Sequence, residues 1–319
     1  MNNIFNISSD KEFHKEALKQ FNYQAINIAP YREYLELIKV NPQWVKEINQ
    51  IPFLPIELFK SHKFCDSDSC DIVFSSSGTS SSIQSHHYVA DLSLYEQSFT
   101  KGFTYFYGAP ENTNIYALLP SYLEREGSSL IYMMQHLIDN AYDGDFFLYN
   151  YDALIERLEK RDKNRLTFLF GVTFALVDLI EKYKIDLSEN VVVMETGGMK
   201  GRRRELPREE LHELLCSGLN VKSIHSEYGM CECLSQSYST GNGVFSSPAW
   251  QRILIRSLGD GSRILGKNLR GGINIIDLAN IHSCSFLQSQ DKGQILSDGT
   301  FTVEGRIDNS DIRGCNLLI

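Results

Sequence analysis

The sequence predicts an α/β protein whose mostly parallel sheets are covered by helices, followed by a β-rich C-terminal subdomain. From residue 71 to residue 229, strand-like apolar stretches alternate with stretches of helical spacing, which is typical of a parallel sheet with crossover helices. After residue 250 the helical pattern stops, and short strand-like stretches are separated by glycine and aspartate. Of the 319 residues, 42% are hydrophobic, which is enough apolar material for a substantial core.

The pattern divides the chain into three parts. Residues 1–60 form an N-terminal helical and extended segment, residues 61–249 an α/β body, and residues 250–319 the β-rich subdomain, which ends in a hinge-like tail. In the first part, YREYLELI (31–38) predicts an amphipathic helix. The stretch IPFLPIELFK (51–60) carries two prolines among apolar residues and predicts an extended segment that lies across a core.

Strands and helices alternate along the predicted body. The predicted strands are 71–74, 114–120, 146–149, 165–172, 190–196 and 221–229. The predicted helices are 91–108, 127–141, 151–160, 174–183 and 207–218. Asp91 is the predicted N-cap of the first helix, and the last has Pro207 in its first turn and Gly218 just past its end. In the C-terminal part, RILIRS, GINIID, CSFLQS, GQIL and TFTVEGR predict separate short strands.

Composition excludes several classes of protein. A net charge of −9 and a pI of about 5.4 argue against a nucleic-acid binder, which usually carries a basic surplus. The apolar runs are far shorter than the roughly 20 residues that cross a bilayer, and the N-terminus does not resemble a signal peptide. The seven cysteines predict reduced thiols in a cytoplasmic protein. Cys65 and Cys70 have no second ligand pair at zinc-like spacing, which argues against a metal site there.

The serine-rich stretch FSSSGTSSS (74–82) follows a predicted strand and precedes a predicted helix. Its hydroxyls, its exposed N–H groups and the conformational freedom of Gly78 suit a loop that surrounds phosphate oxygens. The alternative is a solvated serine turn. The stretch does not match the phosphate loop of the P-loop nucleotide-binding proteins.

Two further segments give this loop a context. They are SEYGMCE (226–232) and QDKGQILSDGTFTVEGRIDNSDIRG (290–314). In this order, the three segments resemble the motifs of the adenylate-forming superfamily, which includes acyl-CoA synthetases, luciferases and the adenylation domains of peptide synthetases. The matching positions are Ser76, Ser77, Gly78, Thr79, Tyr228, Gly229, Glu232, Asp291, Arg306 and Asp308.

The resemblance implies the large-domain fold of these enzymes and a role for each motif. The loop at 76–79 would meet the phosphates of ATP, and Tyr228 would stack near adenine. Glu232 would help to hold Mg²⁺, and Asp291 would bind the ribose hydroxyls, so that residues 61–249 become a nucleotide-binding body. Arg306 lies in the stretch that marks the hinge to a mobile lid. The resemblance therefore predicts that the three segments converge around one nucleotide.

Finer features resemble one branch, the LuxE-type acyl-protein synthetases. They include IPFLPIELFK, the serine loop with the residues after it, METGGMKGRRREL and the terminal SDIRGCNLL, so that the resemblance runs from about residue 45 to the end. Enzymes of this branch activate a fatty acid as its acyl-adenylate and pass the acyl group to one of their own cysteines. Cys315 occupies the matching place, with Arg313 two residues earlier to favour its thiolate. Cys231, where the superfamily has threonine, and Cys233 are rival thiols.

The implied reaction brings two anions together, because a carboxylate must attack the α-phosphate of ATP, and positive charge is needed to offset their repulsion. Mg²⁺ and the donors of the 76–79 loop would supply it. Gly197 and Gly198 follow a predicted strand and would let adenine approach the backbone closely; the alternative is a plain turn. Asp291 could likewise be a turn residue before Gly293.

Basic residues add three further hypotheses. The run of Lys200, Arg202, Arg203 and Arg204 is a solvated face, a phosphate contact or a docking surface for an acidic partner such as an acyl carrier protein. His87 would donate to a phosphate or to the substrate carboxylate, or else it is structural. The superfamily usually adds a lid with a lysine that contacts the acyl-phosphate oxygens. LuxE-type proteins lack that lid, so Lys200, Lys292, Arg306 or a helper subunit would replace its lysine.

The predicted function is therefore an ATP-dependent ligase that uses Mg²⁺ and forms AMP and pyrophosphate. The acyl acceptor is Cys315, a carrier protein, coenzyme A or a sugar; a reductase is a further candidate partner. One alternative is an ATP-independent acyltransferase that works through a cysteine thioester. Another is a nucleotide-binding relative without catalysis.

Overall fold

A computed structural model of the chain describes residues 4–76, 83–120, 127–197 and 206–307. The chain divides into two compact units. Among the described residues, the first unit comprises 4–76, 83–101, Gly229–Gln236 and 246–307, and the second comprises 102–120, 127–197, 206–228 and Ser237–Phe245. Within the described ranges, every helix is too short or too polar to cross a membrane.

Strands and helices alternate up to residue 228, and the later elements of the described part are strands. Two strands differ from the prediction: residues 86–89 form an additional strand, and the strand predicted at 146–149 lies at 143–146, since Leu148 has φ of 46°, which is not extended backbone. The helices are α1 (Asp10–Asn27), α2 (Ala29–Leu37), α3 (Leu92–Tyr107), α4 (Ser129–Asp139), α5 (Tyr151–Lys160), α6 (Thr173–Lys182) and α7 (Arg208–Leu219). The strands are β1 (Leu54–Pro55), β2 (Ile72–Ser75), β3 (His86–Val89), β4 (Thr113–Leu118), β5 (Asp143–Phe146), β6 (Leu166–Val172), β7 (Val191–Thr196), β8 (Ile224–Tyr228), β9 (Ser237–Ser239), β10 (Val244–Ser246), β11 (Gln251–Arg256), β12 (Ile264–Leu265), β13 (Arg270–Asp277), β14 (Phe286–Ile295) and β15 (Phe301–Arg306).

The second unit contains the predicted parallel sheet. Its strands run in the order β5–β4–β6–β7–β8–β9, and all neighbours are parallel except β8 and β9. Strands buried on both faces read as continuous apolar runs, which is why LTFLFGV and VVVM are recognisable in the sequence. The helix predicted at 151–160 is confirmed as α5. Its N-cap is Asn150, whose side chain accepts a hydrogen bond from the Ala153 N–H.

The end of α7 differs from the prediction. Gly218 lies inside the helix, and the left-handed residue that ends it is Asn220, with φ of 52°. A Cβ atom on Gly218 would come within 2.7 Å of the Ile180 Cβ, so this glycine lets α6 and α7 pack closely. Asparagine tolerates the left-handed conformation better than other side chains do, and it replaces glycine as the terminator. Pro207 is the N-cap residue and precedes the first turn.

The first unit contains the predicted β-rich part. Its strands run in the order β12–β11–β13–β14–β15 with antiparallel neighbours, and β1 pairs with β14 in parallel. β2 and β3 form a separate antiparallel pair. Helix α3 begins after Asp91, the predicted N-cap, whose carboxylate accepts a hydrogen bond from the Ser93 N–H at 2.9 Å.

The segment 51–60 is only partly extended. After the short β1, residues Ile56–Lys60 form a 3₁₀ helix. Its period of three places Ile56 and Phe59 on one side, and both are buried. The prediction of a wholly extended segment is therefore wrong, because one helical turn buries both side chains where a strand would have turned them to opposite faces.

CSFLQS and GQIL do not form two strands. β14 runs without interruption from Phe286 to Ile295; it pairs with β13 at both of its ends and with β15 over Asp291–Ile295. The register shifts between Lys292 and Gly293, where a Cβ atom on Gly293 would lie 2.0 Å from the Thr302 carbonyl oxygen. The glycine thus marks a close approach of two backbones inside the sheet. Asp291 consequently lies within a strand, and the alternative that it is a turn residue is wrong.

Candidate active site

Two of the predicted nucleotide contacts follow adjacent parallel strands of the second unit. Gly197 comes directly after β7 and has φ of 81°, a conformation that favours glycine. Tyr228 is the last residue of β8, and its buried ring packs edge-on against Phe245 with centroids 6.0 Å apart. Because ligands of parallel sheets bind at the carboxyl ends of the strands, both residues lie at the edge where a ligand is expected.

One face of this sheet edge carries an ionised carboxylate. The Glu195 carboxylate is buried and accepts hydrogen bonds from Ser226 Oγ at 2.7 Å and Thr173 Oγ1 at 3.1 Å. His212 Nε2 lies 3.7 Å from it. Burial alone would raise the pKa of Glu195, but His212, Arg208 and Ser226 together lower it. The charge of Glu195 is therefore held in place by α7 and by the neighbouring strand.

The opposite face of the same edge carries Glu227. Residues 195 and 226 are register partners in β7 and β8, so the side chains of Thr196 and Glu227 share the other face, where Thr196 Oγ1 donates to Glu227 Oε2 at 2.9 Å. Burial raises the pKa of Glu227 from its ordinary 4.5 to about 7, the bond from Thr196 lowers it, and the charge of Glu195 raises it further. A large share of Glu227 is therefore protonated at neutral pH.

This raised pKa predicts a pH-dependent stability. A carboxyl group whose pKa is higher in the folded than in the unfolded state contributes stability below pH 4.5 that is lost as the pH rises through about 7. We expect Glu227→Gln to gain up to about 3 kcal/mol over the wild type between pH 5 and pH 8. Urea unfolding at several pH values measures the difference between the two proteins.

The comparison with Glu227→Gln is needed because His225 has the opposite effect. Burial lowers the pKa of His225 from 6.5 to about 4, so its contribution to stability rises with pH between those values. Subtracting the unfolding free energy of one protein from that of the other at each pH removes the contribution of His225, which both proteins share. Equal pH dependence of the two proteins would contradict the burial of an unfavourable charge at Glu227.

In the first unit, His87 lies in β3 and is buried. Its Nδ1 is 2.7 Å from the Cys231 carbonyl oxygen and must donate, because a carbonyl only accepts. Burial lowers the pKa of His87 despite this bond and the nearby Glu232 carboxylate. The neutral ring then keeps Nε2 as an acceptor. Donation to a phosphate would require a protonated ring, which burial opposes, and the catalytic role of His87 stays a prediction.

Side chains from other segments hold the backbone of residues 231–235, which we call the clamped segment. Asn280 Nδ2 donates to the Glu232 carbonyl oxygen at 2.7 Å. The Asp277 carboxylate accepts from the N–H groups of Leu234 and Ser235 at 2.8 and 2.9 Å. All of these side chains are buried. Glu232 is thus carried on a backbone with a fixed path.

The rival thiols differ in their surroundings. Cys233 is buried, and burial, with help from Asp277 and Glu232, raises the pKa of its thiol well above the usual 9.0. Since the thiolate is the nucleophile, Cys233 is a poor acyl acceptor. Cys231 is half-buried in the same segment.

Ser76 closes the base of the serine-rich loop. Its N–H donates to the Ser85 carbonyl oxygen at 3.0 Å, and its Oγ accepts from the Ser85 N–H at 2.9 Å. Gln84 Nε2 donates to the Ser76 carbonyl oxygen at 3.0 Å. The hydroxyl of Ser76 is therefore engaged in closing the loop, and its predicted contact with ATP stays a prediction.

Asp291 and Arg306 are paired across two antiparallel strands. They are register partners in β14 and β15, so their side chains leave the sheet on the same face. Asp291 is buried, whereas Arg306 is half-buried and donates to the Gln290 side chain, which in turn donates to Glu57. The structure thus brings the predicted ribose ligand and the hinge-motif arginine together.

Several predicted residues lie outside the part of the chain that the structure describes. They are Ser77, Gly78, Thr79, Gly198, Lys200, Arg202, Arg203, Arg204, Asp308, Arg313 and Cys315. Their predicted roles stay predictions, as does the convergence of the three segments around one nucleotide.

Glu232 is the predicted Mg²⁺ ligand. In the described ranges there is no cluster of three or more His, Cys, Asp or Glu side chains that could hold a metal ion. Mg²⁺ that arrives with ATP needs only one or two protein carboxylates, because phosphate and water fill the other positions. The oxygen donors of Glu232 fit such a role, although the side chain is buried.

Glu195, Glu227, Asp277 and Asn280 are polar residues of the two units that the sequence analysis missed. Glu227 stands inside the motif SEYGMCE and precedes the tyrosine that was singled out. The period of two along the predicted strand was the available signal, since it places Glu227 on the face opposite to Ser226, and the structure confirms this placement.

Neither a protein-family model nor a curated protein sequence matches the chain. Solved structures do resemble it. 2-Hydroxyisobutyryl-CoA ligase in complex with 2-HIB-AMP and CoA has a TM-score of 0.70 at 13% identity, over 98% of this chain and 72% of that chain. ATP-bound MatB from Rhodopseudomonas palustris has a TM-score of 0.57 at 13% identity, over 76% of this chain and 49% of that chain.

A third likeness is to the long-chain-fatty-acid-CoA ligase FadD1 from Archaeoglobus fulgidus, with a TM-score of 0.54 at 19% identity over 74% of this chain. The matches span about half the length of MatB and FadD1, at 49% and 51%. The chain has the fold of the adenylate-forming acyl-CoA ligases, which confirms the predicted fold class. At these identities the likeness concerns the fold alone.

Proposed function

We propose that the protein uses ATP to activate a carboxylic acid as an acyl-adenylate and then transfers the acyl group to a thiol. The observation that carries this proposal is the placement of Gly197 and Tyr228 at the carboxyl ends of adjacent parallel strands, in a fold shared with acyl-CoA ligases. Those relatives bind ATP, an acyl-AMP and CoA in their structures, which supports the same reaction class here.

In the first step, a carboxylate oxygen of the acid attacks the α-phosphorus of ATP. The bond from that phosphorus to the bridging oxygen breaks, and pyrophosphate leaves. Tyr228 would stack beside adenine, Asp291 would accept the two ribose hydroxyls, and the loop at 76–79 would donate to phosphate oxygens. Mg²⁺ held by Glu232 would neutralise phosphate charge, and Arg306 would supply a cation near the acyl-phosphate oxygens.

In the second step, a thiolate attacks the acyl carbon and AMP leaves. We propose Cys315 as the acceptor, in the manner of the LuxE-type enzymes, with a fatty acid as the substrate class that this resemblance implies. Coenzyme A and an acyl carrier protein are the other thiols to be compared.

Exchange of labelled pyrophosphate into ATP tests the first step. We expect exchange with at least one acid from a panel of short, long and hydroxylated acids, and none without acid. Folded protein that binds ATP but exchanges with no acid would contradict the proposal and favour a non-catalytic relative. An acyl-Cys315 adduct found by mass spectrometry without nucleotide would favour the ATP-independent acyltransferase.

A further inference from the structure

The strand that carries Asp291 is irregular on the side that faces β13. Gly272 of β13 is the register partner of Lys292 of β14. Two positions further along β13, Asn274 is the partner of Gln288, which lies four positions before Lys292. Between these pairs β13 has one residue and β14 has three, which we call the β14 bulge: Ser289, Gln290 and Asp291. Bulges are common beside active sites, where they redirect a side chain.

A buried arginine lies where the β14 bulge opens the sheet. Arg256 of β11 is 3% exposed. Its Nη1 donates to the Ile273 carbonyl oxygen at 2.7 Å and to Asn274 Oδ1 at 2.9 Å. Its Nη2 donates to the Ser289 carbonyl oxygen at 2.6 Å. In a regular antiparallel ladder, N–H groups of the opposite strand bond such carbonyl oxygens. Arg256 instead joins one carbonyl group of each strand across the bulge with side-chain donors.

These bonds continue to the backbone of Asp291. Ser289 Oγ donates to the Ile273 carbonyl oxygen at 3.0 Å and accepts from the Asp291 N–H at 3.1 Å. Arg256 therefore bonds the carbonyl group of the same serine whose hydroxyl holds the Asp291 N–H. The side chains of Arg256, Ser289 and Asp291 are all buried, so a bond that is lost here leaves a polar group unpaired at a high cost. A displacement of Arg256 is consequently passed to Asp291 through Ser289.

Gly272 gives the guanidinium of Arg256 its space. The two residues are register partners in β13 and β11, and a Cβ atom on Gly272 would overlap the end of the Arg256 side chain. The arginine thus reaches the β14 bulge by passing over a glycine. Because the guanidinium is the flexible partner of this contact and the strand is the fixed one, Gly272→Ala would displace the guanidinium.

We propose that Arg256 is a positioning residue that fixes the β14 bulge in the shape that presents the Asp291 carboxylate to the ribose hydroxyls of ATP. This inference rests on the proposed function and adds to nucleotide recognition a residue that stands outside the motifs. Arginine suits this role because its planar guanidinium reaches two carbonyl oxygens in a fixed geometry, whereas the ammonium group of lysine is a single point donor. Arg256 acts on the nucleotide through Asp291.

The test measures how well the enzyme distinguishes ATP from 2′-deoxy-ATP and 3′-deoxy-ATP in the pyrophosphate-exchange assay. Each analogue lacks one hydroxyl that Asp291 would accept, so we expect kcat/KM of the wild type to be about tenfold or more lower for each. Arg256→Lys is expected to reduce this discrimination about fivefold or more, mainly by raising KM for ATP while kcat changes less. A residue with a structural role alone would lower the melting temperature and leave the discrimination unchanged.

A second variant perturbs the same contact while Arg256 stays in the chain. Gly272→Ala is expected to lower the discrimination in the same direction, and it decides the question if Arg256→Lys does not fold. One matched control is Arg252→Lys, two positions earlier on β11, where the side chain pairs with Asp10 at 2.6 Å. The other is Gly266→Ala, where an added Cβ atom meets no heavy atom within 4 Å. Both controls should discriminate as the wild type does.

A double variant tests the route through Asp291. In a folded Asp291→Asn protein the acceptor of the hydroxyls is already impaired, so adding Arg256→Lys should change the discrimination by less than about twofold. A further loss as large as that in the wild-type background would overturn this route.

The outcomes separate this inference from the proposed function. Unchanged discrimination in the folded Arg256→Lys and Gly272→Ala proteins overturns the inference and keeps the ligase. If no acid supports exchange, the proposed function fails, and equilibrium binding of ATP and its two deoxy analogues decides the inference alone. A preference for ATP that both variants reduce supports it. An unchanged preference, or none in the wild type, overturns it.

Discussion

Asp291→Asn is expected to lower the rate of ATP–pyrophosphate exchange about 100-fold or more, with most of the loss in the affinity for ATP. The carboxylate has acceptor capacity for both ribose hydroxyls, whereas an amide offers one acceptor oxygen and turns donors toward the other hydroxyl. Losing a charge-assisted hydrogen bond and creating a donor–donor contact costs on the order of 3 kcal/mol, which corresponds to this factor. Exchange kinetics at varied ATP concentration measure it.

The position of Asp291 makes this result interpretable. The residue is buried inside β14, where Arg306 of β15 is its register partner and its N–H donates to Ser289 Oγ at 3.1 Å, so its backbone has a fixed path. The control is Asp298→Asn, at an exposed turn where the carboxylate accepts from the Thr300 N–H. Thermal unfolding of both variants shows whether the fold survives. Exchange at the wild-type rate in a folded Asp291→Asn protein would remove the ribose role.

Asp277→Ala is expected to destabilise the protein by about 3–5 kcal/mol. Its carboxylate is fully buried and accepts from the N–H groups of Leu234, Ser235 and Ala279 and from Ser235 Oγ, at 2.6–3.1 Å. Alanine leaves three buried N–H groups without an acceptor, and each such group costs about 1–3 kcal/mol. Denaturant unfolding measures the loss.

Two variants sharpen that experiment. The Asp260 carboxylate accepts bonds of the same kind from the N–H and the hydroxyl of Ser262, but it is exposed, so Asp260→Ala should destabilise the protein far less than Asp277→Ala. Asp277→Asn keeps one acceptor oxygen and should fall between the two. A loss below about 1 kcal/mol in Asp277→Ala would mean that water or a repacked backbone satisfies the clamped segment.

The alternation of apolar stretches predicted the second unit well. Parallel strands buried on both faces appear in the sequence as continuous apolar runs, and the amphipathic α5 appears as apolar residues at helical spacing. Prediction failed where tertiary contacts overrule local preference. Asp291 and Lys292 break the apolar pattern of β14, yet pairing of both residues with β15, and of Lys292 with β13, keeps the strand whole. Glycine is common just past the end of a helix, but Gly218 lies inside α7, where the absence of a side chain lets α6 pack closely.

From the sequence, only the residues that stand in motifs were assigned to the candidate site. Tyr228 is the last residue of β8 and Asp291 lies inside β14, and their nucleotide-binding roles stay predictions. Glu227 and Asp277 carry no motif of their own. The position of Glu227 beside Thr196 comes from the register of β7 and β8, and the role of Asp277 comes from bonds to residues about forty positions away. Local sequence shows neither.

The backbone of residues 231–235 is held from outside by His87, Asp277 and Asn280. Apart from the Ser235 hydroxyl, which also donates to Asp277, these bonds engage the backbone of the segment and not its side chains. A substitution at 231–234 can therefore leave the path of the backbone unchanged. We expect relatives with this fold to keep the three supporting side chains more often than the residues of the segment itself.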